Sequence, residues 1–213
     1  MKTFLQIILA FAIMAVPVTM QARNEDGSYT KKEMQRFEKE AQKQAKNMAK
    51  ELKKEGWKLN GSGDLQLMIE KHLLKLADFG GNGTEYVGNA NDIKNLNSAS
   101  RMARMAASTA YAEQSQMALK ERIDGSDVIL DADQRQTLIA GYEARVAKEL
   151  NGEITKSIEL YKKNKNGTYD VRAFYVVDEE AARATKLRAL RAEAEYMKLS
   201  TDIANQISKF VNE

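Results

Sequence analysis

Apolar positions recur at helical spacing over most of this chain and at strand spacing over the rest. The organising stretch is Glu85–Ile123, where a short strand (Tyr86-Val87-Gly88-Asn89-Ala90) passes into a long alanine-rich helix. Ala99, Ala103, Ala106 and Ala110 are spaced 4, 3 and 4, and a second row (Met102, Met105, Thr109, Ala112, Gln116, Leu119, Ile123) alternates 3 and 4. At about 100° per residue the two rows sit more than a quarter-turn apart, so the helix is apolar on two sides. Arg101, Arg104, Ser108, Tyr111, Ser115 and Arg122 are its polar remainder. Such a helix is expected between a sheet and another helix, its alanines admitting one neighbour closely.

Upstream, Thr30-Lys31-Lys32-Glu33 has capping-box spacing and predicts a helix over 30–55 that ends at Gly56. Met34, Phe37, Ala41, Ala45, Met48 and Leu52 form its single apolar stripe, and its other faces carry Lys, Glu and Gln. Docking by that stripe is expected, rather than a coiled-coil or membrane-surface role. Trp57-Lys58-Leu59 reads as a short strand before the turn Asn60–Gly63. Leu65, Met68, Ile69, Leu73 and Leu76 then mark a second helix.

Downstream, Asp131 or Asp133 caps a helix carrying Leu138, Ile139, Tyr142, Val146 and Leu150. Strands over 153–163 and 168–177 follow, joined through Asn166-Gly167. A two-residue turn there pairs Leu160 with Ala173, Ile158 with Tyr175 and Lys163 with Asp170. That register places the apolar rows on one face and Arg172 on the other, solvent face. Asp178-Glu179-Glu180 starts a C-terminal helix over 179–211 striped by Leu187, Leu190, Ala194, Met197, Thr201 and Ala204. At about 50 Å it either breaks or overhangs the domain. The elements predict an α+β fold, helix-dominated, with a small antiparallel sheet (strands near 85–91, 153–163 and 168–177) packed by long helices.

The first 22 residues read differently. Lys2 precedes the apolar run Phe4–Val18, Pro17 closes it, and Ala22 stands before the polar Arg23-Asn24-Glu25-Asp26. This is the pattern of a secretory signal peptide cut after Ala22. The run falls short of the roughly 20 apolar residues that span a bilayer, which disfavours an uncleaved anchor. Residues 23–213 then form a single α+β domain, periplasmic or secreted, with no transmembrane span. With no cysteine, the chain has no disulfide, thiolate site or lipoprotein anchor. Lys and Arg total 33 against 30 acidic residues, with signs interspersed, so no nucleic-acid partner is expected.

Candidate chemistry is sparse. The one histidine, His72, has no second histidine to pair with and reads as a surface or core-edge residue. Gly80–Thr84 lacks the ending of a phosphate loop. Asp124, Asp127, Asp131 and Asp133 lack the glycine and glutamate positions of a calcium loop. Asn60, Asn82 and Asn166 fit a glycosylation pattern, but each is also an Asn-Gly turn. No catalytic, cofactor-binding or metal-binding residue is singled out, and no cofactor is expected.

Gly88-Asn89-Ala90, then Ala99, Arg101, Ala103, Ala106 and Ala110, and later Gly167-Thr168-Tyr169-Asp170-Val171 carry a resemblance. Over about Glu85–Val177 the chain resembles the lipoprotein-twenty family of bacterial envelope proteins and the related N-terminal domain of a flagellar assembly protein. The family's acylated cysteine is missing here. The resemblance implies an α+β fold at the cell envelope with no settled catalytic role. The expected function is an exported, non-enzymatic structural or protein-interaction module. Its partner would be another envelope protein, or a second copy bound through the helical apolar stripes. The alternative is a carboxylate-based hydrolase or sugar-binding protein of the periplasm.

Overall fold

The computed structural model describes residues 30–78, 83–150 and 153–211. The leader expected over residues 1–22 and most of the Gly80–Thr84 turn lie outside them. The described chain runs α1 (Lys31–Lys54), β1 (Lys58–Leu59), α2 (Leu65–Asp78), β2 (Gly83–Ile93), α3 (Leu96–Asp124) and α4 (Ala132–Glu149). It continues with β3 (Ile154–Lys163), β4 (Tyr169–Asp178), α5 (Glu179–Tyr196) and α6 (Thr201–Lys209). The four strands form one antiparallel sheet in the order β1-β3-β4-β2, giving the helix-dominated α+β fold expected.

The helix starts follow their local chemistry. The Thr30 hydroxyl accepts the Glu33 N–H at 3.3 Å while the Thr30 N–H donates to the Glu33 carboxylate at 2.9 Å. Asp131, rather than Asp133, makes the corresponding box with Gln134. At Gly56 (φ +88°) the Gly56 and Trp57 N–H groups cap α1 by donating to the Lys53 and Leu52 carbonyls.

One face of the sheet carries Tyr86, Ala90, Val171, Ala173, Tyr175 and Val177 against α3, which is itself covered by α4. α3 thus lies between a sheet and a helix, as its two-sided pattern predicts. The buried positions differ in part from the expected rows. Ala99, Ala103, Ala107, Ser108, Tyr111, Ala112, Leu119 and Ile123 are buried. Ala106, Met102 and Met105 are exposed. Tyr111 goes inward because its hydroxyl donates to Glu179 of α5 at 3.1 Å, a partner 68 positions away.

The other face of the sheet is also a core. Phe174, Ile158 and Leu160 pack with Trp57, Leu65 and Ile69, and with Ala45, Ala49 and Leu52 of α1. This corrects the hairpin register. Leu160 pairs with Arg172, Ile158 with Phe174 and Lys162 with Asp170. The loop has three residues instead of two: Gly167 is left-handed (φ +85°) and its N–H donates to the Asn164 carbonyl, while Asn166 keeps a negative φ. Ser157 interrupts the ladder between Lys156 and Ile158 as a bulge. Ile154 therefore faces α3, while Ile158 and Leu160 face α1 and α2. Arg172 is half-buried over the Trp57 ring at 4.9 Å instead of facing solvent.

The continuous helix expected over 179–211 breaks. Lys198 is left-handed (φ +55°), and the Leu199 and Lys198 N–H groups donate to the Ala194 and Glu195 carbonyls. Ser200 then caps α6. This Schellman closure turns Leu199 onto the main core, and no overhang forms. The helix packs on α4 rather than on α1.

Two glycines mark close approaches. A Cβ on Gly88 of β2 would lie 1.7 Å from the Ala103 carbonyl oxygen of α3. One on Gly141 of α4 would lie 2.2 Å from the Glu193 carboxylate, which accepts the Arg145 Nε–H at 2.7 Å. Gly88→Ala is therefore expected to cost about 3 kcal/mol or more by urea denaturation. Gly125→Ala, where the nearest atom is 3.4 Å away, should change little.

Substitutions in the hairpin test its corrected geometry in the same assay. Ala173→Asp and Ile158→Asp, on opposite faces, should both cost about 3 kcal/mol or more, because both faces are buried. Gly167→Val should cost about 1–3 kcal/mol through its left-handed backbone. Asn166→Gly should cost about 1 kcal/mol, because the Asn166 side chain accepts from the Thr168 N–H at 3.1 Å and donates to Asp92 at 3.2 Å.

Candidate functional site

The bulge at Ser157 builds a polar hollow on the α3 side of the sheet. In a regular strand, residues three apart point to opposite faces. The extra residue brings Lys156 and Glu159 to the same side, where the Lys156 ammonium meets the Glu159 carboxylate at 2.9 Å. Glu159 is 4% exposed. It also accepts from the Ser100 hydroxyl of α3 at 2.8 Å and from the Asn60 side-chain amide after β1.

Around it, Ser100, Arg101 and Arg104 from α3, Ile154, Thr155 and Lys156 from β3, and Tyr175 from β4 line an open hollow of about 440 Å³. Three cationic side chains and three hydroxyls line the hollow, and of these Lys156 and Ser100 bond the buried carboxylate. Burial pushes the Glu159 carboxyl up, but its bonds from Lys156, Ser100 and Asn60 together outweigh burial and hold it below the usual glutamate value. The Tyr175 phenol is pushed up to about 12 by burial, reinforced by the Glu159 charge. At neutral pH the hollow therefore presents an ionised acceptor and a protonated phenol. Glycoside hydrolysis uses two carboxylates, one of them holding its proton near neutrality. Glu159 is the only carboxylate among the residues lining this hollow, so the geometry suits holding a polar group and gives the hydrolase reading no support.

A second groove, of about 600 Å³, runs between α3 and α4. It is lined by Gln116, Lys120, Leu130, Arg135, Ile139 and Glu143, among others. It is flanked by apolar side chains left in water: Ile129 is 86% exposed and Met117 54%.

The residues weighed from the sequence lie elsewhere. His72 is a correction: it is 1% exposed, in the core between α2 and β2. Its Nε2 bonds the Glu85 carboxylate, and its ring meets Phe174 edge-on at 5.8 Å. The sequence alone does not reveal that burial, because Glu85 reaches it from the next element. In the acidic loop, Asp124 accepts from Arg135 at 2.7 Å and Asp131 caps α4. No group of three or more metal-ligating side chains gathers among the described residues. Glu159 and its partners escape sequence reasoning because they meet only through a bulge. The local signal was Lys156, which breaks an otherwise apolar row.

The depressed Glu159 carboxyl has a signed consequence. A group whose folded value is lowered contributes stability that is present above its unfolded value and lost as pH falls through the folded one. The protein should lose stability on acidification from the ordinary glutamate range downward, and Glu159→Gln should shrink that loss. Urea midpoints at pH 7 and across the acid limb check it; an unchanged acid limb in Glu159→Gln would contradict the assignment. The chain matches no protein-family model, no curated protein and no solved structure.

Proposed function

We propose that this protein is exported to the cell envelope, where it acts as a non-enzymatic module that binds another protein. The observation that carries this reading is the uncovered apolar face of α3. Met102 is 48% exposed and Met105 68%, although the rest of α3 is packed on two sides. Methionine is a flexible, polarizable side chain suited to surfaces that must fit a partner. About three turns further on, the same face becomes the wall of the α3–α4 groove through Gln116 and Lys120. Apolar side chains on one helix leading into an open groove between two helices suit a helical segment of a partner protein.

Export draws on the leader, with cleavage after Ala22 giving a periplasmic or secreted chain. The absence of cysteine sets this protein apart from lipid-anchored members of the family it resembles. No described helix is long and apolar enough to cross a membrane.

Two measurements test the proposal. N-terminal sequencing of protein from its native host should begin at or near Arg23; an intact Met1 in a membrane fraction would end the export claim. A photo-crosslinking residue at Met105 or Ala140 should give one discrete adduct in the host, and the same residue at Glu195 none. Adducts at all three positions, or at none, would end the binding claim. The mass of the adduct separates a second copy from a different protein.

A further inference from the structure

α1 carries a charge pattern that the whole-chain balance conceals. Its 24 residues hold nine cations against four carboxylates, a larger surplus than the +3 of the entire chain. The cations are also segregated. Lys32, Arg36, Lys39, Lys43, Lys46, Lys50, Lys53 and Lys54 recur at 3 and 4, ending in an adjacent pair. At about 100° per residue they fall within an arc of about 100°, and no acidic residue shares it. All eight are exposed. Arg36 pairs with Glu40 at 3.2 Å, whereas the seven lysines form no ion pair among the described residues. The buried face of α1 (Ala41, Ala45, Ala49 and Leu52) lies outside that arc and is committed to the core with α2. A row of like charges in a helix is mutually repulsive, and here only Arg36 has an ion-pair partner among the described residues.

We infer that this lysine row is a docking surface for a membrane of anionic lipids, bound peripherally through headgroup phosphates. Three features favour a flat lipid surface. The row runs along one side of the helix for about 33 Å, so a planar array of headgroups lets every cation reach a phosphate at once. The phosphate rows of a nucleic acid duplex curve away from a straight helix. The row is almost wholly lysine, a compact point charge suited to diffuse attraction, where arginine would supply forked recognition of particular phosphates. No aromatic side chain stands in the row on which a single-stranded base could stack. With the apolar face of α1 buried in the protein, α1 has no stripe free to insert, so attachment is electrostatic and salt-sensitive. The inference is independent of export, since anionic headgroups face both sides of a bilayer.

Vesicle co-sedimentation of the full chain tests it. Binding is expected to vesicles of phosphatidylcholine with about 30% phosphatidylglycerol in about 0.1 M salt, and to be lost at about 1 M salt. Binding to phosphatidylcholine alone should be absent; salt-insensitive binding there would report the apolar run Phe4–Val18 and is subtracted. The quadruple variant Lys39→Gln, Lys43→Gln, Lys46→Gln, Lys50→Gln should bind anionic vesicles about a hundredfold more weakly or worse. Its urea midpoint should match the parent's. The control Lys71→Gln, Lys94→Gln, Lys165→Gln, Lys209→Gln removes as much charge from other elements and should retain binding. Equal loss in both variants, or no binding to anionic vesicles at low salt, overturns the proposal. Tighter binding to a duplex DNA fragment than to anionic vesicles at the same salt overturns it in favour of nucleic acid.

Discussion

The rest of the structure depends on one place where a strand and a helix touch backbone to backbone. At Gly88 the sheet comes so near α3 that the space for a side chain is occupied by the Ala103 carbonyl. Ala99, Ala103 and Ala107, all fully buried, keep the helix surface low along the same line. That contact sets the height of α3 above β2 and β4. Its opposite side then receives α4, and its first turns hold Ser100 over β3. Alanine contributes little area of its own. Its value here is that it lets larger groups close around it: Tyr86 and Tyr111 meet edge-on at 5.1 Å beside the contact. Both phenols are held in the protonated form by burial and the nearby Glu179 charge, so both remain donors.

The second constraint is the extra residue in β3. A sheet buried on both faces needs apolar side chains on alternate positions of both parities, and β4 provides them from Val171 to Val177, apart from Arg172. β3 does so differently. Its buried apolar residues are even-numbered, and the bulge at Ser157 sends Ile154 to one core and Ile158 and Leu160 to the other. The same offset seats Glu159 among its donors. Core packing and the polar hollow therefore share one local irregularity.

How much of this was legible follows from how local each feature is. Helix caps at Thr30, Asp131 and Asp178 are written within three residues and were read correctly. The existence of the hairpin was legible, but its register was not, because Asn-Gly fits either a two-residue turn or the last two positions of a three-residue loop. Tyr111, Ser108 and His72 were placed outside the deep core because a polar side chain can be buried once it has a distant partner, as Glu179 and Glu85 provide for Tyr111 and His72. The C-terminal helix was expected to break or to overhang, and the position of the break was hidden by an apolar stripe that continues across it. Lys198 adopts a conformation that its side chain does not advertise. The lysine row was present in the sequence from the start. Counting both signs together averaged it away, and only the orientation of α1 separates its two faces.

The sheet's two margins bear on how such molecules could pile up. Its order leaves β2 on one side, and on the other only a two-residue β1 beside the much longer β3. Bare strand margins are templates on which identical chains stack into fibres. Here each long margin is broken: β3 by Ser157 with Lys156 beside it, and β2 before Ile93, where Asp92 adopts a left-handed backbone (φ +59°) tied to the hairpin tip through Thr168 and Asn166. An incoming strand would lose its ladder at either kink. Such interruptions of a strand margin disfavour its use as a template for stacking identical chains.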